Sequence, residues 1–185
     1  MIKDLLRETE DHMKKTVHAL EMDLSAIRTG RASPALVERL IVDYYDTPTQ
    51  LQQLAVISAP EPQLLTIRPY DPGSLKNIER AILASELGLT PNNDGKLIRL
   101  SLPPLTESRR NELVKVVHKR VEEARVSVRN IRRDALKDMR DFEKEGLVSE
   151  DDLERGEESL QKLTDKYIEQ VNAVGGRKEA EIREV

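Results

Sequence analysis

A helical apolar repeat runs into Arg28-Thr29-Gly30-Arg31-Ala32-Ser33-Pro34, stops, and resumes beyond Leu102-Pro103-Pro104-Leu105-Thr106. The first repeat covers residues 2–28 and carries Leu6, Met13, Val17, Leu20, Leu24 and Ile27 along one seam. Residues 106–145 repeat Val117, Val121, Ala124, Val128, Ile131 and Ala135; the segment after Gly146 repeats Leu160, Leu163, Tyr167, Val171 and Val174. Each stripe is the narrow seam of a coiled-coil-like helix, too thin to hold a helix folded by itself. Three such helices predict a bundle. The chain must therefore leave the bundle after its first helix and return for the other two. Both crossings carry Gly or Pro punctuation, which makes Thr29, Gly30 and Arg31 on one strand, and Pro103, Pro104, Leu105 and Thr106 on the other, candidate hinge residues.

The intervening segment changes period. Residues 37–45 are β-branched and aromatic and end in the turn signal Asp46-Thr47-Pro48. Further strands are expected over 51–58, 64–68 and 96–102, and turns at 59–62 and 91–95. A short helix follows Asp71-Pro72-Gly73-Ser74, with Ser74 expected as its N-cap, apolar Leu75, Ile78, Ile82 and Leu83, and Gly88 at its end. Gly30 stands where the first helix should be capped, Thr106 where the second should start and Gly146 where it should stop. Ser149, followed by Glu150, Asp151 and Asp152, opens the third helix. The expected fold is mainly α with an inserted α+β domain. Residues 1–29 and 106–185 form an elongated three-helix bundle, and residues 30–105 a small β/α/β domain.

Composition narrows the function classes. The chain of 185 residues has no cysteine, so disulfides and thiolate metal sites are excluded. No apolar run approaches the roughly 18 residues of a membrane span, and Met1-Ile2-Lys3-Asp4-Leu5-Leu6 lacks the apolar core of a signal peptide. A soluble cytoplasmic monomer without a membrane partner is expected. Catalysis finds little support: His12, His18 and His118 fall in helical patterns, and there is no nucleophile–base pair, phosphate loop or dinucleotide fingerprint. A non-enzyme with no metal or cofactor is expected.

The net charge of −4 conceals an uneven distribution. Residues 109–133 hold 9 Lys/Arg against 3 Glu. On a helical wheel Arg125, Arg129, Arg132, Arg133 and Arg140 share a sector of roughly 100° beside the second seam. Glu112, Glu123, Asp134, Asp138 and Asp141 occupy the opposite flank, while Glu122 and Glu143 fall on the basic side and Arg109 and Arg120 on the acidic one. Sign segregation and the preference for arginine point to phosphate, which a planar fork meets in bidentate fashion. Aromatic residues are only 3%, too few for a base-stacking platform, so a folded RNA held by phosphate and shape is the better ligand. Arg28 and Arg31 either extend this basic surface or interact with helix C-terminal carbonyls.

Several spaced motifs carry a family resemblance. They are Ile27-Arg28-Thr29-Gly30-Arg31-Ala32-Ser33-Pro34, Leu87-Gly88-Leu89-Thr90-Pro91-Asn92, Pro103-Pro104-Leu105-Thr106-Glu107 with Arg109-Arg110, and Val126-Ser127-Val128-Arg129-Asn130-Ile131-Arg132-Arg133. Ser149-Glu150-Asp151-Asp152 and Gln161-Lys162-Leu163-Thr164-Asp165 complete the set. In this order they closely resemble the ribosome recycling factor family, from end to end. The resemblance implies an L-shaped, tRNA-like protein. With elongation factor G and its GTP hydrolysis, such a protein splits the post-termination ribosome into subunits and frees it from mRNA. It implies that the bundle lies on large-subunit ribosomal RNA while the second domain swings about the hinge. Arg110, Arg129 and Arg132 match positions implicated in ribosome contact, and Arg28 and Arg31 the basic corner at the hinge; the wheel adds Arg125 and Arg133. The family commonly has Gly after the tyrosine pair and Pro a few residues later, where this chain has Asp46 and Gln50, and often a second Glu where Ser108 stands. The first difference bears on the turn of the small domain, the second on the acidic first turn of the long helix. A coiled-coil adaptor that binds only protein is the rival reading, motivated by the seams themselves, and a hydrolase is the weakest.

Overall fold

The computed structural model describes residues 1–184. In chain order the elements are α1 (Ile2–Ser25), β1 (Ile41–Tyr44), β2 (Thr47–Gln50), α2 (Leu51–Leu54), β3 (Ala55–Glu61), β4 (Leu64–Pro69), α3 (Leu75–Ala84), β5 (Pro91–Asn93), β6 (Ile98–Ser101), α4 (Glu107–Lys144) and α5 (Glu150–Arg183). Two compact units divide the chain: Met1–Arg28 with Glu107–Glu184, and Thr29–Thr106. Among the described residues no helix is long and apolar enough to cross a membrane.

The first unit is α1, α4 and α5 packed on one another. At 1.5 Å per residue α4 is about 57 Å long. Met13, Val17, Leu20 and Leu24 of α1 are buried with Val117, Val121, Ala124, Val128 and Ala135 of α4 and Leu160, Tyr167, Val171 and Val174 of α5. Leu6, Ile27, Ile131 and Leu163, also read as seam residues, lie half-buried at the margins. The seams hold polar members the apolar pattern did not include. Thr9 and Thr164 are buried, and each hydroxyl donates to the carbonyl four residues back, of Leu5 at 2.7 Å and of Leu160 at 2.8 Å. That bond satisfies the hydroxyl without a partner across the core.

Two glycines set the spacing of α5 from its neighbours. A Cβ at Gly175 would overlap Cγ2 of Val121, and one at Gly156 would lie 3.0 Å from Cγ2 of Ile2 and 3.2 Å from Sδ of Met139. Here glycine is kept for its missing side chain, although it weakens a helix interior.

The turn between α4 and α5 is specified locally. Gly146 has φ +71°, its N–H donates to the carbonyl of Glu143 at 2.9 Å, and the Leu147 N–H donates to the carbonyl of Phe142 at 2.9 Å. This left-handed stop satisfies the last carbonyls of α4. Ser149 then caps α5: its Oγ accepts the Asp152 N–H at 3.1 Å, and the Asp152 carboxylate accepts the Ser149 N–H at 3.4 Å. Hydrogen bonds from Ser149 hold the Asp152 carboxyl below the usual carboxylate range.

The end of α1 differs from expectation. The helix stops at Ser25 with Ala26 at the C-cap in right-handed conformation. Gly30, at φ +74°, lies beyond it in the connecting segment, where a Cβ would stand 3.0 Å from Cγ of Leu105. Its glycine serves the close approach of the two connecting strands.

The second unit has a four-stranded antiparallel sheet, in the order β3-β4-β6-β5, and a separate β1–β2 hairpin. Val37, Val42, Leu51, Leu65, Ile67, Ile78, Ile82, Ile98 and Leu100 form its core. The hairpin turns on Tyr45 (φ 48°) and Asp46 (φ 61°), both in the left-handed region that a two-residue turn of this hand requires. Aspartate tolerates that region, so Asp46 keeps a tight turn without glycine. Three local readings are corrected. Thr47–Gln50 forms an edge strand, with Pro48 tolerated because the pair has only two strands. Leu51–Leu54 is one helical turn that buries both leucines, not the start of a strand. Ser74 does not cap α3 with its side chain: it is buried and donates to the Asp71 carbonyl at 2.7 Å, while the Asp71 carboxylate accepts the Gly73 N–H at 2.9 Å. That carboxylate also accepts the Tyr44 hydroxyl at 3.1 Å, tying the hairpin to the turn before α3. The strand expected over 51–58 starts at Ala55 and runs through the expected turn at 59–62 to Glu61, and the expected turn at 91–95 contains β5.

Substituting Gly175→Ala should destabilise the bundle by about 1–3 kcal/mol through overpacking. Gly176→Ala, with nothing within 4 Å of its Cβ, should stabilise it by about 0.5–1 kcal/mol. Urea denaturation of the two variants measures the contrast.

Tyr167 is 1% exposed and donates its hydroxyl to Oε1 of Glu10 at 2.8 Å. Burial, with the nearby carboxylate, raises the phenol to about 12. The bond from Tyr167, with Lys166 beside it, lowers the Glu10 carboxyl. A carboxylate lowered in the folded state stabilises it above its unfolded value, about 4.3, and loses that contribution as pH falls. The raised phenol stabilises the fold below about 10 and loses its contribution as pH climbs towards about 12. Tyr167→Phe should therefore cost about 1–2 kcal/mol near neutrality. The difference from wild type should narrow below about pH 4 as Glu10 protonates; thermal melts across pH read both.

Candidate nucleic-acid interface

The helical period of α4 gives it two unlike flanks, and packing places each beside a different neighbour. On the α5 side, Arg125 Nε donates to Oδ1 of Asn172 at 2.8 Å, Arg132 Nε to Oε1 of Gln161 at 3.0 Å, and Arg140 Nε to Oε1 of Glu157 at 3.1 Å. On the α1 side, a shallow groove is lined by Glu8 and His12 of α1 with Asp134 and Asp138 of α4. The acidic flank thus faces α1 and the basic flank leans over α5.

Within the basic flank the charges are not equally available. Glu122 accepts from Arg125 at 3.0 Å and Arg129 at 3.5 Å, so one carboxylate serves two guanidinium groups. Those arginines, Arg125 first, lower the Glu122 carboxyl and keep it ionised. Arg140 is paired with Glu157. Arg132 is held by the neutral Gln161 alone, and exposed Arg133 makes no hydrogen bond or ion pair with a described residue. Excess positive charge therefore concentrates at Arg132 and Arg133. The exceptions on the other flank are locally neutralised, Arg109 by Glu112 at 2.9 Å and Arg120 by Glu123 at 3.3 Å.

The other candidates belong to other parts of the chain. Arg110 is half-buried in the first turns of α4, about 22 Å along the helix from Arg125. Arg28 follows α1, and Arg31 belongs to the second unit. Both are exposed. Among the hinge candidates Thr29 is buried, Leu105 half-buried, and Arg31, Pro103, Pro104 and Thr106 exposed. The three histidines are exposed; His118 Nε2 lies 2.9 Å from Oε2 of Glu179 and His18 Nδ1 4.0 Å from Glu21. No group of acidic or histidine side chains among the described residues has metal-binding geometry.

The amide acceptors Asn172 and Gln161 escaped the wheel analysis because they belong to another helix. The only sequence signal was the Gln161–Asp165 motif. Fixed guanidinium groups with free terminal N–H donors on a long helix can contact successive phosphates of a folded nucleic acid, by charge and bidentate geometry.

The family model described as ribosome recycling factor matches residues 20–182. The ribosome-recycling factor of Heliobacterium modesticaldum is 57% identical over 185 residues, all of both chains, and that of Carboxydothermus hydrogenoformans 54% identical over 98% of both. A solution structure of a ribosome recycling factor is 45% identical, with TM-score 0.73 over 100% of this chain and 98% of that one. A Thermus thermophilus (T. thermophilus) recycling factor, placed with Escherichia coli (E. coli) elongation factor G on the E. coli post-termination complex, is 44% identical, with TM-score 0.63 over 98% of both chains.

Arg133→Ala should change unfolding free energy by less than about 0.5 kcal/mol, because its charge has no partner in the fold. Arg125→Ala, which loses a hydrogen bond and a half-buried stem, should cost about 1 kcal/mol. Chemical denaturation separates the arginine kept for the fold from the one free for a ligand.

Proposed function

This chain belongs to the ribosome recycling factor family, and from that premise we propose that it splits post-termination ribosomes into subunits together with elongation factor G and GTP. The observation that carries the mechanism is the concentration of unneutralised arginine at Arg132 and Arg133, beside Arg125 and Arg129, on one flank of the 38-residue helix α4. A rigid helix with spaced guanidinium groups suits the phosphate backbone of large-subunit ribosomal RNA, whose contacts fix register and orientation. Arg110, Arg28 and Arg31 are proposed to extend that anchor.

The inserted unit does the moving. Its connection to the bundle is covalent at two points only, on either side of Thr29–Thr106. Gly30 and the Pro103-Pro104 pair give those crossings the punctuation of a hinge. Elongation factor G, acting on the inserted unit, would turn it while the bundle stays anchored and so strain the bridges between subunits. The protein then needs no chemistry of its own, because its partner's GTP hydrolysis supplies the free energy. It works as a monomer in the cytoplasm, where ribosomes terminate. Among the described residues the seams of α1, α4 and α5 bury one another, which argues against the coiled-coil adaptor.

Sucrose-gradient analysis of post-termination ribosomes tests the reading. Splitting should require this protein, elongation factor G and GTP together, and splitting that persists without this protein would refute it. Arg132→Ala should weaken binding to large subunits about ten-fold or more, with only the small fall in melting temperature that losing the Gln161 hydrogen bond brings. Binding should fall steeply with salt, at a log–log slope of about 0.7–0.9 per phosphate contacted. A flat salt response would remove the electrostatic anchor.

A further inference from the structure

The Gln161–Asp165 motif is not used by the proposed function as it stands. Both residues lie on α5 one turn apart, hence on one face. Gln161 Nε2 donates to Oδ1 of Asp165 at 2.8 Å, and Gln161 Oε1 accepts Nε of Arg132 at 3.0 Å. An amide has one accepting end and one donating end. Asp165 takes the donating end, and the accepting end is thereby turned towards the arginine.

The consequence concerns both geometry and charge. Arg132 is gripped through Nε, which leaves its two terminal NH2 groups without a partner in the fold. Other arginines of the flank are paired with carboxylates: Arg125, whose Nε also meets the Asn172 amide, and Arg129 with Glu122, and Arg140 with Glu157. A carboxylate grip orients a guanidinium but also cancels its field. The amide grip orients it and leaves the field intact. The Asp165 charge that fixes the amide stands one residue further from the arginine.

We propose that Gln161 is a positioning residue for Arg132 and Asp165 sets its orientation, so that a half-buried guanidinium meets a ribosomal RNA phosphate already aimed and with its full charge. The proposal rests on the reading that the α4 flank binds ribosomal RNA. Fixing a long side chain before binding spares the rotamer freedom that would otherwise be lost on contact.

Binding of the full chain to isolated large ribosomal subunits, titrated against salt, tests it with three variants. Gln161→Glu keeps an acceptor at Arg132 but adds a charge. It should weaken binding about ten-fold and lower the log–log salt slope by about 0.7–0.9, the share of one phosphate. Gln161→Ala should weaken binding several-fold at an unchanged slope, since charge remains and aim is lost. Arg132→Ala is the control for the underlying reading. Wild-type affinity and slope in Gln161→Glu, with binding lost in Arg132→Ala, would overturn the positioning role alone. Wild-type binding by Arg132→Ala would overturn the anchor, and the positioning role with it. A lowered melting temperature in Gln161→Ala, with affinity per folded molecule unchanged, would make the glutamine merely structural.

Discussion

The mutual burial of three apolar seams is the constraint on which everything else in this protein depends. None of α1, α4 and α5 has an apolar face wide enough to hold it folded alone. Yet α1 is separated from its partners by the whole of the inserted unit. Closing the bundle therefore brings the two ends of the insert together. Gly30 and Leu105 meet where the two crossings run side by side, and glycine is required there both for its positive φ and for the approach of the leucine.

The bundle also determines what the charges on α4 can do. A lone helix with this sequence would carry arginines on one flank and carboxylates on the other, both free in water and partly cancelling through neighbours one turn away. Packing alters that balance. The acidic flank turns to α1, beside Glu8, and the basic flank turns to α5, where the acceptors at Arg125 and Arg132 are the amides of Asn172 and Gln161. Exposed ion pairs contribute little to stability, so the value of this arrangement lies in orientation and in the field it leaves outside. The Ser149 capping box and the left-handed stop at Gly146 serve the same end: they start and stop the long helices in register, so that Gln161 reaches Arg132 and Gly175 meets Val121.

Legibility in the sequence followed the range of the interaction. Met13, Val17, Val121, Val128 and Val171 were recognisable as core because helical period alone puts them on one face. Gly146 and Ser149 were recognisable because stops and caps are made by neighbours. Thr9, Thr164, Gly156 and Gly175 were not: two threonines satisfied by their own helix and two glycines chosen for a neighbour's side chain break an apolar pattern without leaving the seam. In the inserted unit, short elements compete closely. Leu51 to Leu54 is one turn of helix because both leucines reach the core that way, although propensity also suits a strand. Ser74 stands at the N-cap of α3, but its hydroxyl bonds back to the carbonyl of Asp71, whose carboxylate also holds the Tyr44 hydroxyl from across the fold. The arginines of the candidate site were visible on a wheel, while their partners on α5 were not.

By itself, the sequence determined the periods, the punctuation and the sign of each flank: three seams, two crossings, one basic face, and motifs specific enough to mark a family. These are properties of residues close in the chain, where geometry is dictated by helical pitch and turn stereochemistry. Tertiary structure decided which side chains of α5 meet these arginines. Glu122 reaches Arg125 and Arg129 within one helix, but Gln161, Asn172 and Glu157 meet Arg132, Arg125 and Arg140 only because α5 packs against α4 at a spacing allowed by Gly175. Whether a guanidinium is neutralised depends on what lies within hydrogen-bond reach of it: for Arg125 and Arg129 that is Glu122 of the same helix, whereas for Arg132 and Arg140 it is a neutral amide and a carboxylate brought by α5.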